Sequence, residues 1–184
     1  NGFGGGVYAN DSLIEITGSD ICYNVAKNGG GVCVTNGGNL VMYGGLLRYN
    51  KAIGKPAAGV DTAWQEDAAL AGVGGGVYLS EGVNANIMST YELTGTDKFG
   101  IYGNEAKWAA DDVFANGVLT KLTLPSATNM TLEGTEFSRA TGWFEDYAND
   151  DIEYENETAL RGNISVGGER YRTAERTVIA YISA

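Results

Sequence analysis

The sequence predicts an all-β protein, a right-handed parallel β-helix of about four coils with an irregular C-terminal cap, and three observations carry that expectation. Gly-Gly-Gly-Val recurs as Gly4-Gly5-Gly6-Val7, Gly29-Gly30-Gly31-Val32 and Gly74-Gly75-Gly76-Val77. Each copy leads into an alternating, β-branched stretch and then an Asn-x-Ala triplet, read as Asn24-Val25-Ala26, Asn50-Lys51-Ala52 and Asn104-Glu105-Ala106. Within a unit the apolar period is two, with Val7, Ile14, Ile16 and Ile21 answered by Val32, Leu40, Met42 and Leu47. Period two means strand, and self-similarity at this length marks units that bury their faces only against neighbouring copies.

Gly4 answers to Gly29 and Asn24 to Asn50, so the second unit is one residue longer than the first. Short strands separated by Gly, Asn and Asp fit the corners of a coil better than a hairpin array, which needs tight two-residue turns. Inward positions then stack as Val7 on Val32 on Val77, and as Ile21 on Leu47 on Ile101. Tyr8, Cys33 and Tyr78 face outward. Glycine supplies the crowded or positive-φ corners, and asparagine tolerates left-handed backbone. A ladder of Asn24, Asn50 and Asn104 is expected at one corner as part of the structure.

The third unit departs twice from the pattern. Residues 53–73 form an insertion containing Lys55-Pro56, Trp64, Glu66 and Asp67, and the unit is extended internally across Glu81 to Asp97. Insertions in repeat proteins map to surface loops, where function concentrates. Past Trp108 the glycine motif stops. Val118–Leu124 and Met130–Leu132 read as strands of a fourth, atypical coil. Trp143–Tyr147 reads as a short helix or turn, Gly162–Gly167 as a short strand and Thr177–Ser183 as a final strand. Residues 1–140 are thus expected to form the coils, and 141–184 a capping segment of the same domain that covers exposed strand edges.

Composition narrows the function. With 43% hydrophobic residues the chain has enough apolar surface to fold. A net charge of −11 argues against nucleic acid or an anionic membrane as partner, and no apolar run approaches the length of a spanning helix. Zero histidines remove His-based triads and His-metal sites. Asp111-Asp112 is the one candidate acid pair for glycosidase chemistry. Neighbours on a strand point to opposite faces, however, so these residues are expected as the solvated start of a coil. The carboxylates between Glu145 and Glu157 lack a recognisable calcium loop and read as a solvated acidic face. Cys22 and Cys33 face outward on different strands, and the repeat needs no disulfide between them. No cofactor and no metal is expected.

The strings Asn24 to Cys33 and, split by the insertion, Asn50 to Tyr78 resemble the β-helix repeats of large secreted or cell-surface proteins of gut Firmicutes. Those repeats are related in pattern to autotransporter and polymorphic outer-membrane passenger domains. Ala110-Asp111-Asp112-Val113-Phe114, Leu122-Thr123-Leu124-Pro125 and Trp143-Phe144-Glu145-Asp146-Tyr147 are similar to the segment closing such blocks. The resemblance covers most of residues 4–150, leaving out the insertion and the end from Arg161. It implies an extracellular, adhesin-like module without enzymatic activity, part of a longer multidomain chain. The expected partner is a host protein, such as an immunoglobulin or another mucosal glycoprotein, or a glycan. The inserted loops are expected to hold it, with Trp64, Gln65, Glu66, Asp67 and Tyr91 as binding residues, because loop aromatics bury large area at small entropic cost. A passive spacer in a surface stalk and a polysaccharide lyase or glycosidase are the alternatives.

Overall fold

The computed structural model describes residues 2–55, 72–87, 99–107 and 110–115 in full, and beyond them the strands at 118–122, 130–132, 135–137, 139–146, 158–160, 164–165 and 177–183. The first unit contributes β1 (Val7–Asn10), β2 (Leu13–Ile16), β3 (Asp20–Cys22) and β4 (Val25–Ala26). The second contributes β5 (Val32–Thr35), β6 (Asn39–Met42), β7 (Gly45–Arg48) and β8 (Lys51–Ala52), and the third β9 (Val77–Leu79), β10 (Asn84–Ile87), β11 (Phe99–Tyr102) and β12 (Glu105–Ala106). There follow β13 (Val113–Ala115), β14 (Val118–Leu122), β15 (Met130–Leu132), β16 (Thr135–Phe137), β17 (Arg139–Asp146), β18 (Thr158–Leu160), β19 (Ile164–Ser165) and β20 (Thr177–Ser183). The fold is all-β, and no helix occurs among the described residues.

Equivalent strands of successive units pair in parallel. One sheet runs β1-β5-β9-β13, a second β2-β6-β10-β14, a third β3-β7-β11 and a fourth β4-β8-β12. The expected ladders form in register: Val7 pairs with Val32, Val32 with Val77 and Val77 with Val113, and Leu47 lies between Ile21 and Ile101. These inward rows make the core, joined by Ile16, Met42 and Ile87 from the second sheet. Parallel pairing between units so distant in sequence, with a common apolar interior, is an arrangement compatible with a parallel β-helix.

Strand register also places the irregularities. The extra residue of the second unit sits in one turn, where Asn36-Gly37 stands opposite Asp11, because Asn10 pairs with Thr35 and Leu13 with Asn39. Glu81-Gly82 occupies the same turn of the third unit, since Asn84 pairs with Asn39. The internal extension therefore begins only after Ile87, and Glu81 to Ile87 belongs to the repeat.

The end of the chain corrects two expectations. Met130–Leu132 is a strand, but it pairs antiparallel with β16 and stands outside the parallel ladders. Trp143-Phe144-Glu145-Asp146 is neither helix nor turn: it lies within β17, held antiparallel against β20 over most of its length and against β18. Ile164–Ser165 and Thr177–Ser183 are strands as expected. Here β20 pairs antiparallel with β13, and β19 with β14.

The outer face of the first sheet is more enclosed than alternation suggests. The row Tyr8, Cys33, Tyr78, Phe114 points away from the core, yet Cys33 is fully buried and Tyr78 nearly so. Phe3 lies across it, its ring stacked 6.5 Å from Tyr8 and tilted 6.4 Å from Tyr78, so that it spans the step where the row has only a thiol. Tyr78 in turn stacks on Phe114 at 5.5 Å. Both cysteines are free.

Burial pushes the Cys33 thiol from its ordinary 9.0 up to about 12. It lifts the Tyr78 phenol from 10.0 to about 12 as well, with the charge of a Cys33 thiolate as a second cause. Both groups bind their protons more tightly folded than unfolded, so stability is complete below about pH 9 and falls as pH rises towards 12. We expect Tm to drop steadily between pH 9 and pH 11, and Cys33→Ala to flatten that slope. Identical slopes for the two proteins would show that the thiol does not titrate from a buried site.

Candidate functional site

The chemistry-bearing side chains converge at the corner between the third and fourth sheets. Asn24, Asn50 and Asn104 stack there as the repeat requires, joined by one recurring pattern. The Asn50 Oδ1 accepts from the backbone N–H and the Nδ2 of Asn24, both at 3.0 Å. The Asn104 Oδ1 accepts from the same two groups of Asn50, again at 3.0 Å. Each remaining Nδ2 proton goes to a main-chain carbonyl, that of Ile21 from Asn50 and that of Leu47 from Asn104. Asn50 is fully buried and Asn104 nearly so, and buried amides demand such pairing.

This ladder explains the glycine runs. A Cβ placed on Gly31 would come within 2.9 Å of the Asn50 Nδ2, and one on Gly76 within 2.9 Å of the Asn104 Nδ2. The same Cβ atoms would meet the carbonyls of Gly76 and Asp112 at 2.7 and 2.6 Å. Only glycine fits in both units. Where the ladder ends, the triplet changes identity: Gly75 N–H donates to the Ala110 carbonyl, Gly76 to Asp111 and Val77 to Asp112, which aligns Ala110-Asp111-Asp112-Val113 with Gly74-Gly75-Gly76-Val77. Ala110 even keeps the left-handed φ of 61° that Gly74 has at 66°.

Asp111 and Asp112 are therefore not the solvated start of a coil. Asp112 is buried, and its Oδ1 accepts from Asn104 N–H at 3.2 Å and Nδ2 at 2.7 Å, taking the place of a fourth asparagine. The Asp111 Oδ1 accepts from Ala106 N–H at 2.8 Å, a donor of the last strand in the β4-β8-β12 sheet. A carboxylate has acceptors and no donor, so it closes a row whose last members are donors. The hydrogen bonds reveal that alignment, whereas in the sequence only Val113 keeps the residue type of the glycine motif.

Outside the same corner runs a tyrosine row. Tyr23 and Tyr49 precede the ladder asparagines and hold left-handed φ values of 58° and 55°, where the third unit has Gly103. Such backbone costs an aromatic residue on the order of 1–3 kcal/mol. Their rings stack at 5.4 Å, Tyr102 meets Tyr49 edge-on, and the Arg48 guanidinium lies 5.6 Å from the Tyr49 ring centre. Arg48 also grips the Asp20 carboxylate through Nε and Nη2. An aromatic before Asn-x-Ala in two units was legible as a pattern and was missed.

The insertion is mounted on a pinched stem. Gly54 N–H and Gly72 N–H both donate to the Lys27 carbonyl, at 3.1 and 2.9 Å, and the buried Asn28 Oδ1 receives Gly72 and Val73. The chain thus departs after Gly54 and rejoins at Gly72, and the repeat continues from Val73 as it does from Asn28 in the preceding unit. Trp64, Gln65, Glu66, Asp67 and Tyr91 all lie outside the described residues, as does the acidic run after Asp146. Among the described residues no group of three His, Cys, Asp or Glu is placed to hold a metal. No protein-family model, curated protein or solved structure matches this chain.

Asp112→Ala leaves the buried Asn104 N–H without its acceptor, at about 1–3 kcal/mol for an unsatisfied group, and takes from Nδ2 its shortest hydrogen bond, leaving it the Leu47 and Tyr102 carbonyls. We expect a clear fall in the urea midpoint, and a smaller one for Asp112→Asn, which keeps an acceptor oxygen in place. Equal losses for the two variants would contradict the terminating role.

Proposed function

We propose that this chain is a non-enzymatic binding module of a bacterial cell-surface or secreted protein, adhesin-like, built on a right-handed parallel β-helix of about four coils within a longer polypeptide. Its partner is a host protein, an immunoglobulin or another mucosal glycoprotein, or a glycan. The inserted segments hold it.

The observation that carries this reading is the pinched stem at Gly54 and Gly72. The parallel ladders continue on either side of it, and the entropic cost of a long surface loop grows slowly with its length. Loops mounted on a rigid frame are where binding residues concentrate, and Trp64 is the side chain of greatest potential contact area within this one. Enzymatic readings lack support of this kind: the sequence has no histidine, and Asp111 and Asp112 are occupied in closing the corner ladders. The spacer reading draws on one observation, that the buried asparagines are spent on holding units together.

Joining Ile53 directly to Val73 reproduces the Lys27-Asn28 connection and is expected to keep the β-rich circular-dichroism spectrum and cooperative melting. In pull-downs from mucosal secretions and on a glycan array, the parent chain should capture a partner and the shortened chain should not. Trp64→Ala is expected to weaken capture by about 5- to 150-fold, or ~1–3 kcal/mol. Capture that survives the deletion would move the site elsewhere, and a parent chain that captures nothing would favour the spacer.

A further inference from the structure

The asparagine ladder has a direction, and its two ends are treated differently. At the far end the last donors meet Asp112, while β20 and β19 cover β13 and β14. At the near end stands Asn24, whose side chain donates from Nδ2 to Asn50 and to the Cys22 carbonyl. Its Oδ1 accepts from no group among the described residues, although the oxygens of Asn50, Asn104 and Asp112 each accept two hydrogen bonds. An acceptor is left over.

The rest of that rim is unfinished in the same sense. Val7, Ile14 and Ile21 are only partly buried, whereas their ladder partners Val32, Leu40 and Leu47 are 0–1% exposed. Phe3, Tyr8, Leu13, Tyr23 and Val25 are exposed large apolar residues, and all belong to the first unit. Leu13 and Val25 stand where later units carry Asn39 and Asn84, and Lys51 and Glu105. The outer ring face of Tyr23 is open, its other face being stacked on Tyr49. Edge strands left to solvent are ordinarily blunted by charge, proline or cover. This rim carries charge at Glu15 and Asp20, yet Leu13, Tyr23 and Val25 leave apolar surface open beside the incompletely covered interior row.

We infer that the rim formed by β1 to β4 is a docking face for one further parallel β-rung, a partner that brings a ladder asparagine with an aromatic residue immediately before it. The asparagine places its backbone N–H and Nδ2 on the Asn24 Oδ1, repeating the contact that Asn24 makes with Asn50. The aromatic ring stacks on Tyr23, and the rung's inward apolar residues complete the burial of Val7, Ile14 and Ile21.

The polarity of the ladder selects this occupant over a second copy of the chain. Two copies meeting rim to rim about a two-fold axis would set one Asn24 oxygen against the other, acceptor against acceptor. Head-to-tail stacking is blocked because the partner edges β13 and β14 are already paired with β20 and β19. A rung with its donor side free meets neither obstacle.

The test adds such a rung to the full chain by duplicating residues 29–53 ahead of Phe3, which preserves the Lys27-Asn28-Gly29 spacing at the joint. The stacked rung is expected to raise Tm by at least about 4 °C and to slow amide exchange across Leu13–Ile16 more than tenfold. The same duplication carrying Asn50→Asp in the added copy has no Nδ2 to donate and should lose most of both effects. The inference is overturned if the added rung changes neither quantity, or if the Asn and Asp rungs protect equally. It is also overturned if sedimentation shows the unmodified chain to be a dimer in which Leu13–Ile16 is already protected.

Discussion

One hydrogen-bonded row constrains the rest of this molecule: the stack of Asn24, Asn50 and Asn104 closed by Asp112. Asn50 and Asn104 each use the oxygen for two donors of the previous unit, and each of the three asparagines gives its amide to the next, so every unit must present the residue at the same height and the same angle. That requirement fixes the left-handed residue just before it, whether Tyr23, Tyr49 or Gly103. It also fixes the glycine that passes against the amide. A net value of about 1 kcal/mol per hydrogen bond makes the row modest as stabilisation. Its larger effect is on register, since a buried amide displaced from its partner costs more than the bond was worth. A one-residue slip between units would misplace every rung at once.

The directionality of the row follows from the amide group, and the two kinds of unit end follow from the directionality. A terminator on the donor side must accept without needing to donate, which a carboxylate does and a carboxamide does not. Asp112 and Asp111 perform that task side by side, one for the side-chain ladder and one for the adjoining strand ladder. Cross-rung ion pairs, Arg48 with Asp20 and Lys51 with Glu105, follow the same spacing on the outside. Being exposed, they hold orientation more than they add stability.

Much of this was legible in the sequence because identical contacts recur at each unit. The inward rows followed from period two, and the asparagine ladder from three Asn-x-Ala triplets. Ala110-Asp111-Asp112 was opaque because the repeat keeps its backbone path there while changing every side chain, so matching residue types found nothing to match. The burial of Cys33 depends on Phe3 crossing between Tyr8 and Tyr78, a contact between units that alternation along one strand does not describe. Trp143-Phe144-Glu145-Asp146 has no alternation and reads as a short helix or turn. It is a strand because β20, distant in sequence, supplies the partner edge. The expected binding residues were chosen for lying in insertions, and the structure bears on their setting only through the stem at Gly54 and Gly72.

The fold depends most directly on the side-chain amides of the ladder, and proton exchange at the Nδ2 groups of Asn50 and Asn104, followed by NMR, measures them. If those protons are locked between successive units, they exchange as slowly as the backbone amides of Val32–Val34 in the central sheet. Exchange at the rate of a free asparagine, with the strand amides still protected, would contradict the claim that this row sets the register of the fold.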